Sequence, residues 1–263
     1  SKIKILDPAC GSGSFLIGAF QYLLDYHKDY YSENGKLSKG KKDNPLTPDG
    51  HLATAEKKRI LLNNIFGVDL DSNAVEVTKL SLLIKCLEGE TEASIKQQLV
   101  IWNDRVLPSL ENNIKCGNTL IDIDFYETEI DFGEEKKIKP FNWANGFKNI
   151  LSDEGFDVII GNPPYGAFFQ NSESIYFKEK YKTAVWRGES YLLFIEKSIN
   201  LLKIKGLLGF IIPDTLLNLG FTKSSRDYIL SNTKLQEVIL LPSNVFNGVT
   251  VDTIILLTEK EKY

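Results

Sequence analysis

Short apolar segments alternate with segments of helical periodicity along the 263 residues, and this alternation limits the fold more than any other feature. Seven segments have strand character: residues 2–6, 65–69, 114–121, 156–160, 207–212, 238–241 and 251–258. Strands that alternate with helices form a mostly parallel sheet with helices on both faces. The last two strands are too close in sequence for a helical crossover, so they should pair antiparallel. The pattern predicts an α/β protein with a doubly wound, mostly parallel seven-stranded sheet and one antiparallel strand.

Helical periodicity indicates the elements that cover this sheet. After the first strand, apolar residues recur three and four positions apart, at Phe15, Leu16, Phe20, Leu23 and Leu24. A long helix over residues 73–87 should follow the second strand, with Asp71 or Ser72 as its N-cap. We expect it to direct four residues toward the core: Val77, Leu80, Leu83 and Leu87. Residues 166–189 have no clear period and predict a loop with a helical turn.

A single domain is expected to span residues 1–263, with two surface excursions. Residues 29–52 are rich in Lys, Gly, Asn and Pro, which is typical of a mobile, solvated insertion. Four of its lysines are candidates for phosphate contacts, although an exposed charged loop is usually only solvated: Lys36, Lys39, Lys41 and Lys42. A second excursion is expected at residues 122–140, where acidic residues precede basic ones.

Composition excludes several classes of protein. Apolar residues make up 43% and charged residues 25% of the chain, as in ordinary globular proteins, and the net charge of −4 disfavours nucleic-acid binding over the whole surface. Apolar runs fall far short of the roughly 20 residues of a membrane helix, and no signal segment is recognised. We therefore expect a cytoplasmic protein without membrane contacts. Cys10, Cys86 and Cys116 are too widely spaced for a zinc site or a disulfide framework, so no metal is predicted.

A glycine turn, DPACGSG, follows the first strand directly. Ligands of open α/β sheets bind beyond the carboxyl ends of the strands. Gly11 and Gly13 allow a close backbone approach there, and Asp69 at the end of the second strand could accept two hydrogen bonds from ribose hydroxyls. The turn contains neither GxGxxG nor GK[ST], so a nucleoside-containing cofactor fits better than a dinucleotide or a nucleoside triphosphate. The alternative is a tight strand-to-helix corner without a ligand.

The tetrapeptide Asn162-Pro163-Pro164-Tyr165 ends the apolar segment FDVIIG. Two prolines hold the backbone extended and remove two donors, which leaves the Asn162 amide oxygen and the Pro163 carbonyl as outward acceptors. Two such acceptors can bind one planar NH2 group and favour attack through its nitrogen lone pair, with no strong base. Tyr165 would offer a face on which a planar ring stacks. The alternative is a rigid turn that only ends the strand.

The motifs DPACGSG, GVDLD, CGNTL and NPPY, in this order, resemble those of amino-methyltransferases that use S-adenosylmethionine. More narrowly, the chain is similar to gamma-class adenine-N6 DNA methyltransferases, especially those of type IIG restriction–modification enzymes. The phrases LLNNIFGVDLD and GFIIPDTLLN strengthen the resemblance, which covers nearly the whole chain. It implies a Rossmann-like catalytic domain that transfers a methyl group from S-adenosyl-L-methionine to N6 of adenine in DNA, as the modification part of a restriction–modification system.

The resemblance also implies roles for individual residues. Asp7, Ala9, Gly11 and Gly13 would line the methionine part of the cofactor, Asp69 would hold its ribose, and Asn118, where the family often has an acid, would contact its adenine amino group. Asn162, Pro163, Pro164 and Tyr165 would form the catalytic element. Phe246 would pack on the extruded base beside Tyr165, unless it is a core residue between strands. A base must leave the duplex stack before it can react.

Two features and three alternatives qualify this interpretation. A target-recognition domain, through which double-stranded DNA would be bound, is not recognised in these residues, and only six residues precede Asp7, where the family has a helix at the cofactor pocket. Similar motifs serve glutamine-N5 methylation of release factors and guanine-N2 methylation of ribosomal RNA. The chain could also be a non-catalytic subunit with the same fold, although such a subunit would not need Asp69 or the Asn162–Tyr165 motif.

Overall fold

The structure is a computed structural model that describes residues 2–34, 45–47, 49–89, 107–127, 138–166, 169–184, 189–242 and 251–262. Seven strands form one sheet in the order β3-β2-β1-β4-β5-β7-β6. They are β1 Ile5–Asp7, β2 Ile65–Asp69, β3 Ile114–Cys116, β4 Phe156–Gly161, β5 Leu202–Pro213, β6 Thr233–Leu240 and β7 Thr253–Lys260. The pairs β1–β2, β1–β4, β2–β3 and β4–β5 are parallel, whereas β7 is antiparallel to both β5 and β6. The predicted fold class is therefore confirmed.

Helices follow most strands, as the alternation of the sequence predicts. In the described part of the chain the α-helices are α1 Ser14–Asn34, α2 Thr54–Asn64, α3 Ser72–Leu87, α4 Trp143–Gly146, α5 Lys148–Ser152, α6 Asn171–Lys180, α7 Ser190–Leu201, α8 Thr215–Asn218 and α9 Lys223–Asn232. Short 3-10 helices lie at Ile123–Glu127 and Gly220–Thr222. None of the described helices is long and apolar enough to cross a membrane.

Two hydrophobic clusters cover the two faces of the sheet. Successive residues of a strand point to opposite faces, so Ile5 and Leu6 of β1 belong to different clusters. Helices α1, α2 and α3 contribute to the cluster of Ile5, whereas α7 and α9 contribute to the cluster of Leu6. Burial on both faces explains why β1 and β4 are apolar without strict alternation.

Helix α3 buries a different face from the one that the sequence predicts. Val77 and Leu80 were expected in the core but are 48% and 58% exposed. The buried residues of α3 are Val75, Thr78, Lys79, Leu82 and Cys86. Apolar residues occur around much of this helix, so periodicity alone does not choose its inner face. Asp71 is the N-cap, as predicted, and its carboxylate accepts a hydrogen bond from Asn73 N–H.

Three segments between strands also differ from expectation. Residues 166–189 contain the ten-residue helix α6, longer than the expected turn, and Glu173 in its first turn accepts a hydrogen bond from Gln170 N–H. The third strand ends at Cys116, five residues early, because the chain turns at Gly117. Helix α1 continues to Asn34, into the expected insertion, and the apolar side chains of Leu46 and Leu52 are buried.

The mobility of the expected insertion stays a prediction. Its lysines Lys36, Lys39, Lys41 and Lys42 lie outside the described residues, as do residues 128–137 of the second excursion.

Candidate active site

The glycine turn after β1 is tied to β2 and α3. Cys10 N–H donates to the Val68 carbonyl at 3.0 Å, and the Thr78 hydroxyl of α3 donates to the Gly11 carbonyl at 2.7 Å. Gly13 has φ +86°, and a Cβ at this position would lie 2.8 Å from the Thr78 methyl group. Positive φ and this close contact together explain why glycine is needed there.

Asp69 lies at the carboxyl end of β2, where the backbone of two neighbouring turns orients its carboxylate. One carboxylate oxygen accepts a hydrogen bond from Gly11 N–H at 2.7 Å, and the other accepts one from Asp71 N–H at 2.9 Å. A carboxylate has about four acceptor positions, so both oxygens retain capacity for a ligand's hydroxyl groups. Asp69, predicted from its place at the end of the second strand to accept hydrogen bonds from a ligand, thus has a carboxylate whose orientation is fixed by two backbone N–H groups.

Asp7, the last residue of β1, is buried where the glycine turn begins. Its carboxyl group is 1% exposed and accepts Ala9 N–H at 3.0 Å. A Cβ on Gly161, at the end of β4, would lie 2.7 Å from this carboxyl oxygen, so glycine permits the contact between the two strand ends. Burial raises the pKa of Asp7 from 3.8 to about 7, the Ala9 N–H opposes this rise, and the negative charge of Asp69 adds to it.

The loop after β3 forms a third wall. Asn118 N–H donates to the Lys139 carbonyl, and the Asn118 side-chain oxygen accepts Leu120 N–H at 3.0 Å. The Thr119 hydroxyl, which is buried, donates to the Pro8 carbonyl at 2.5 Å. This bond links the loops after β3 and β1. The Asn118 oxygen keeps one lone pair beside its backbone donor, so this side chain can both accept and donate a further hydrogen bond.

The Asn162–Tyr165 turn directly follows β4 at the same edge of the sheet. The Tyr165 hydroxyl donates to the Asn162 side-chain oxygen, and the Ser190 hydroxyl donates to the Pro164 carbonyl. The Pro163 carbonyl has no donor among the described residues. The Tyr165 ring lies edge-to-face against Tyr191, with centroids 6.3 Å apart. Burial raises the pKa of Tyr165, and the hydrogen bond to Asn162 opposes this rise.

One cavity of about 420 Å³ brings these loops together. Its lining residues come from the strand ends and from α6 and α7: Pro8, Ala9, Asp69, Leu70, Gly117, Asn118, Thr119, Leu120, Asn162, Pro164, Phe169, Glu173, Ser190 and Phe194. The glycine turn and the Asn-Pro-Pro-Tyr turn therefore face the same space, as the order of motifs predicts.

The predicted site residues divide into those that line the cavity and those that support it. Ala9, Asp69, Asn118, Asn162 and Pro164 line it. Asp7, Gly11, Gly13, Pro163 and Tyr165 are not among the lining residues, although each lies in or directly beneath a lining turn. Phe246 lies outside the described residues, so its predicted contact with an extruded base stays a prediction.

Sequence reasoning missed the wall formed by Phe169, Glu173, Ser190 and Phe194. These residues belong to α6, α7 and the chain before α6, and no motif marks them. Thr119 was also missed, although its place in CGNTL at a strand's carboxyl end was a usable signal. Within the described residues, no group of three or more His, Cys, Asp or Glu side chains could hold a metal ion.

The fold is that of the S-adenosylmethionine-dependent methyltransferases. A protein from Listeria monocytogenes assigned to class I of these enzymes superposes with a TM-score of 0.55 at 16% identity, over 100% of this chain and 55% of its own. The family model of the Eco57I restriction-modification methylases matches residues 63–246. The chain therefore belongs to the Eco57I restriction-modification methylase family, which confirms the resemblance seen in the motifs.

Two relatives show the same relationship in sequence. The type II restriction enzyme and methyltransferase RM.Eco57I of Escherichia coli is 38% identical over 267 residues, which cover 99% of this chain and 25% of the relative. The adenine-specific methyltransferase PglX of Streptomyces coelicolor is 24% identical over 268 residues, which cover 97% of this chain and 20% of the relative. The chain thus spans a quarter or less of the length of these two relatives.

Proposed function

We propose that this chain transfers a methyl group from S-adenosyl-L-methionine to the exocyclic N6 of adenine in DNA, as the modification part of a restriction–modification system. The observation that carries the proposal is the shared cavity, where Asp69 and Asn118 lie on one side and Asn162 and Pro164 on the other. Membership of the Eco57I family and the adenine-specific relative support the choice of substrate.

The residues present fit the proposed cofactor. Asp69 would accept the ribose hydroxyls, because two backbone N–H groups hold its carboxylate toward the cavity. Asn118 would contact the adenine amino group through its amide oxygen, which has a second lone pair beside the one that accepts Leu120 N–H. Ala9 and the turn through Gly11 and Gly13 would surround the methionine part, with the Asp7 carboxyl group beneath. The bound cofactor would supply an electrophilic methyl group.

The Asn162–Tyr165 turn would bind the target amino group. A carbonyl oxygen has two lone pairs, so Asn162 can keep the Tyr165 hydroxyl as a donor and still accept an amino N–H. The Pro163 carbonyl, which lacks a donor among the described residues, would accept the second N–H. These acceptors orient the amine and stabilise the positive charge that develops on it. Tyr165 would stack on the base, with Phe246 as its proposed partner.

The target adenine would leave the duplex to reach this cavity, at a cost of a few kcal/mol. Stacking on an aromatic residue is worth about 1–3 kcal/mol per base and would offset part of that cost. We expect double-stranded DNA to be bound through a target-recognition domain that these residues do not include, and the complete enzyme to act in the cytoplasm.

Transfer of a labelled methyl group to DNA that lacks methylated adenine tests the proposal. The DNA should be digested to nucleosides and the product identified by mass spectrometry, with N6-methyladenine as the expected base. Asn162→Ala should abolish transfer, because it removes one acceptor of the amino group. Its melting temperature should stay close to that of the wild type, because residue 162 is exposed. Asn149→Ala is the matched control, since this exposed asparagine lies in α5, before β4 rather than at its carboxyl end.

Other products would overturn parts of the proposal. Methylation of a release factor or of ribosomal RNA, with none on DNA, would favour the alternative substrates. Binding of cofactor without transfer to any of these substrates would favour a non-catalytic subunit. Full activity of Asn162→Ala would refute the role of the Asn-Pro-Pro-Tyr turn.

A further inference from the structure

The Asn162–Tyr165 turn has no main-chain hydrogen bond of its own within the described part of the chain. Its two prolines carry no N–H, so two of its four residues cannot donate a main-chain hydrogen bond. Side chains form the recorded bonds instead: Tyr165 donates to Asn162 inside the turn, and Ser190 donates to the Pro164 carbonyl from outside. The position of the turn therefore depends on the groups that contact it.

Those outside contacts come from two consecutive residues at the start of α7. Ser190 binds the Pro164 carbonyl, and the Tyr191 ring packs edge-to-face against Tyr165. Ten of the twelve residues of α7 are buried, and the helix packs in the same core as β4 and β5. The hydrophobic core thus determines where the Ser190 hydroxyl lies.

Ser190 combines burial with a place at the cavity. It is 1% exposed, and it lines the cavity together with Asn162 and Pro164. A buried hydroxyl without a partner is costly, so burial of Ser190 favours the bond from its hydroxyl to the Pro164 carbonyl.

We propose that Ser190 is a positioning residue for methyl transfer: its hydroxyl holds the Pro164 carbonyl and thereby presents the Asn162 amide to the target amino group. This inference rests on the proposed function and deepens it. Ser190 acts through the turn and does not touch the reacting atoms. Misplacing a reacting group by about 1 Å can lower a rate by about a hundredfold, so a small movement of the turn is sufficient.

Three variants test this role: Ser190→Ala removes the hydroxyl, Ser190→Thr retains it, and Ser198→Ala is a matched control. Ser198 lies on the same helix and is fully buried, but its hydroxyl has no partner among the described residues. Single-turnover methyl transfer to adenine and binding of S-adenosylhomocysteine should be measured for each. We expect Ser190→Ala to slow transfer by about ten- to a hundredfold with cofactor affinity nearly unchanged, and Ser190→Thr to recover most of the rate.

Crystal structures of the same variants provide a readout that does not need activity. The Asn162–Tyr165 turn should move in Ser190→Ala and stay in place in Ser198→Ala. If Ser190→Ala does not fold, Ser190→Cys keeps the volume with a weaker donor and should show the same slow transfer.

Wild-type transfer rates in Ser190→Ala, or an equal loss in Ser198→Ala, would overturn the inference. If the wild-type protein methylates no adenine, the proposed function is refuted. The role of Ser190 is still tested in that case by the crystal structure of Ser190→Ala, and an unmoved Asn162–Tyr165 turn would refute it.

Discussion

Replacing Asp7 by asparagine should stabilise the unliganded protein, and the gain should depend on pH. The Asp7 carboxyl group is 1% exposed, and Ala9 N–H is its only hydrogen-bond donor among the described residues. Burial, above all, raises its pKa from 3.8 to about 7. In the unfolded chain the carboxyl group is solvated and has its ordinary pKa, so the folded state binds this proton more tightly.

The magnitude follows from the two pKa values. Relative to the variant, the wild-type free energy of unfolding should fall by about 1.4 kcal/mol for each pH unit between about pH 4 and pH 7. Above the folded-state pKa of about 7, Asp7 is ionised in both states, and the difference stays constant. Above pH 7 the free energy of unfolding should therefore be higher in the variant than in the wild type by at most about 4 kcal/mol. Asparagine keeps an oxygen that can accept Ala9 N–H and has no charge at any pH.

Urea unfolding of both proteins between about pH 4 and pH 8.5 measures this difference. At the acid end the two stabilities should agree to within about 1 kcal/mol, because Asp7 is then neutral in the folded protein and only about half ionised in the unfolded chain. We expect the variant to bind S-adenosylmethionine more weakly at pH 8.5, because it lacks the negative charge beneath the proposed methionine site. A stability difference of the same size at every pH, or a variant less stable than wild type at pH 8.5, would refute the reasoning.

Two further substitutions test the contacts around the cavity. Thr119→Val keeps the side-chain shape but removes the donor to the Pro8 carbonyl. The free energy of unfolding, measured with urea, should fall by about 1–2 kcal/mol, and an unchanged value would contradict the role of this bond. Tyr165→Phe keeps the ring but removes the donor to Asn162, so methyl transfer should slow less than in Tyr165→Ala, which also loses base stacking worth about 1–3 kcal/mol. Equal rates for the two Tyr165 variants would argue against stacking.

Motifs at strand ends were predictable because topology brings them together. In a parallel sheet the carboxyl ends of neighbouring strands share one edge, so Asp7, Asp69 and Asn162 had to lie close to one another once the strands were assigned. Side chains that reach the cavity from helices were not predictable in the same way. Ser190 carries no local signal, and its contact with Pro164 spans 26 residues of chain.

The choice of buried face in α3 shows the same limit. Val77 and Leu80 are as apolar as Leu82, so hydrophobicity did not decide which residues pack inward. The hydrogen bond from Thr78 to the Gly11 carbonyl requires Thr78 to face the glycine turn, and this rotation leaves Val77 and Leu80 exposed. A polar contact between elements, invisible in the local pattern, is consistent with the observed orientation.

The sequence by itself determined the sheet, its antiparallel strand and the two motifs that meet at its edge, because strand periodicity and the geometry of parallel sheets are local or topological properties. Only the tertiary structure decided the inner face of α3, the raised pKa of Asp7 and the contact between Ser190 and the Asn162–Tyr165 turn. Each of these depends on distances between residues far apart in the chain. Such distances exist only after the core has packed.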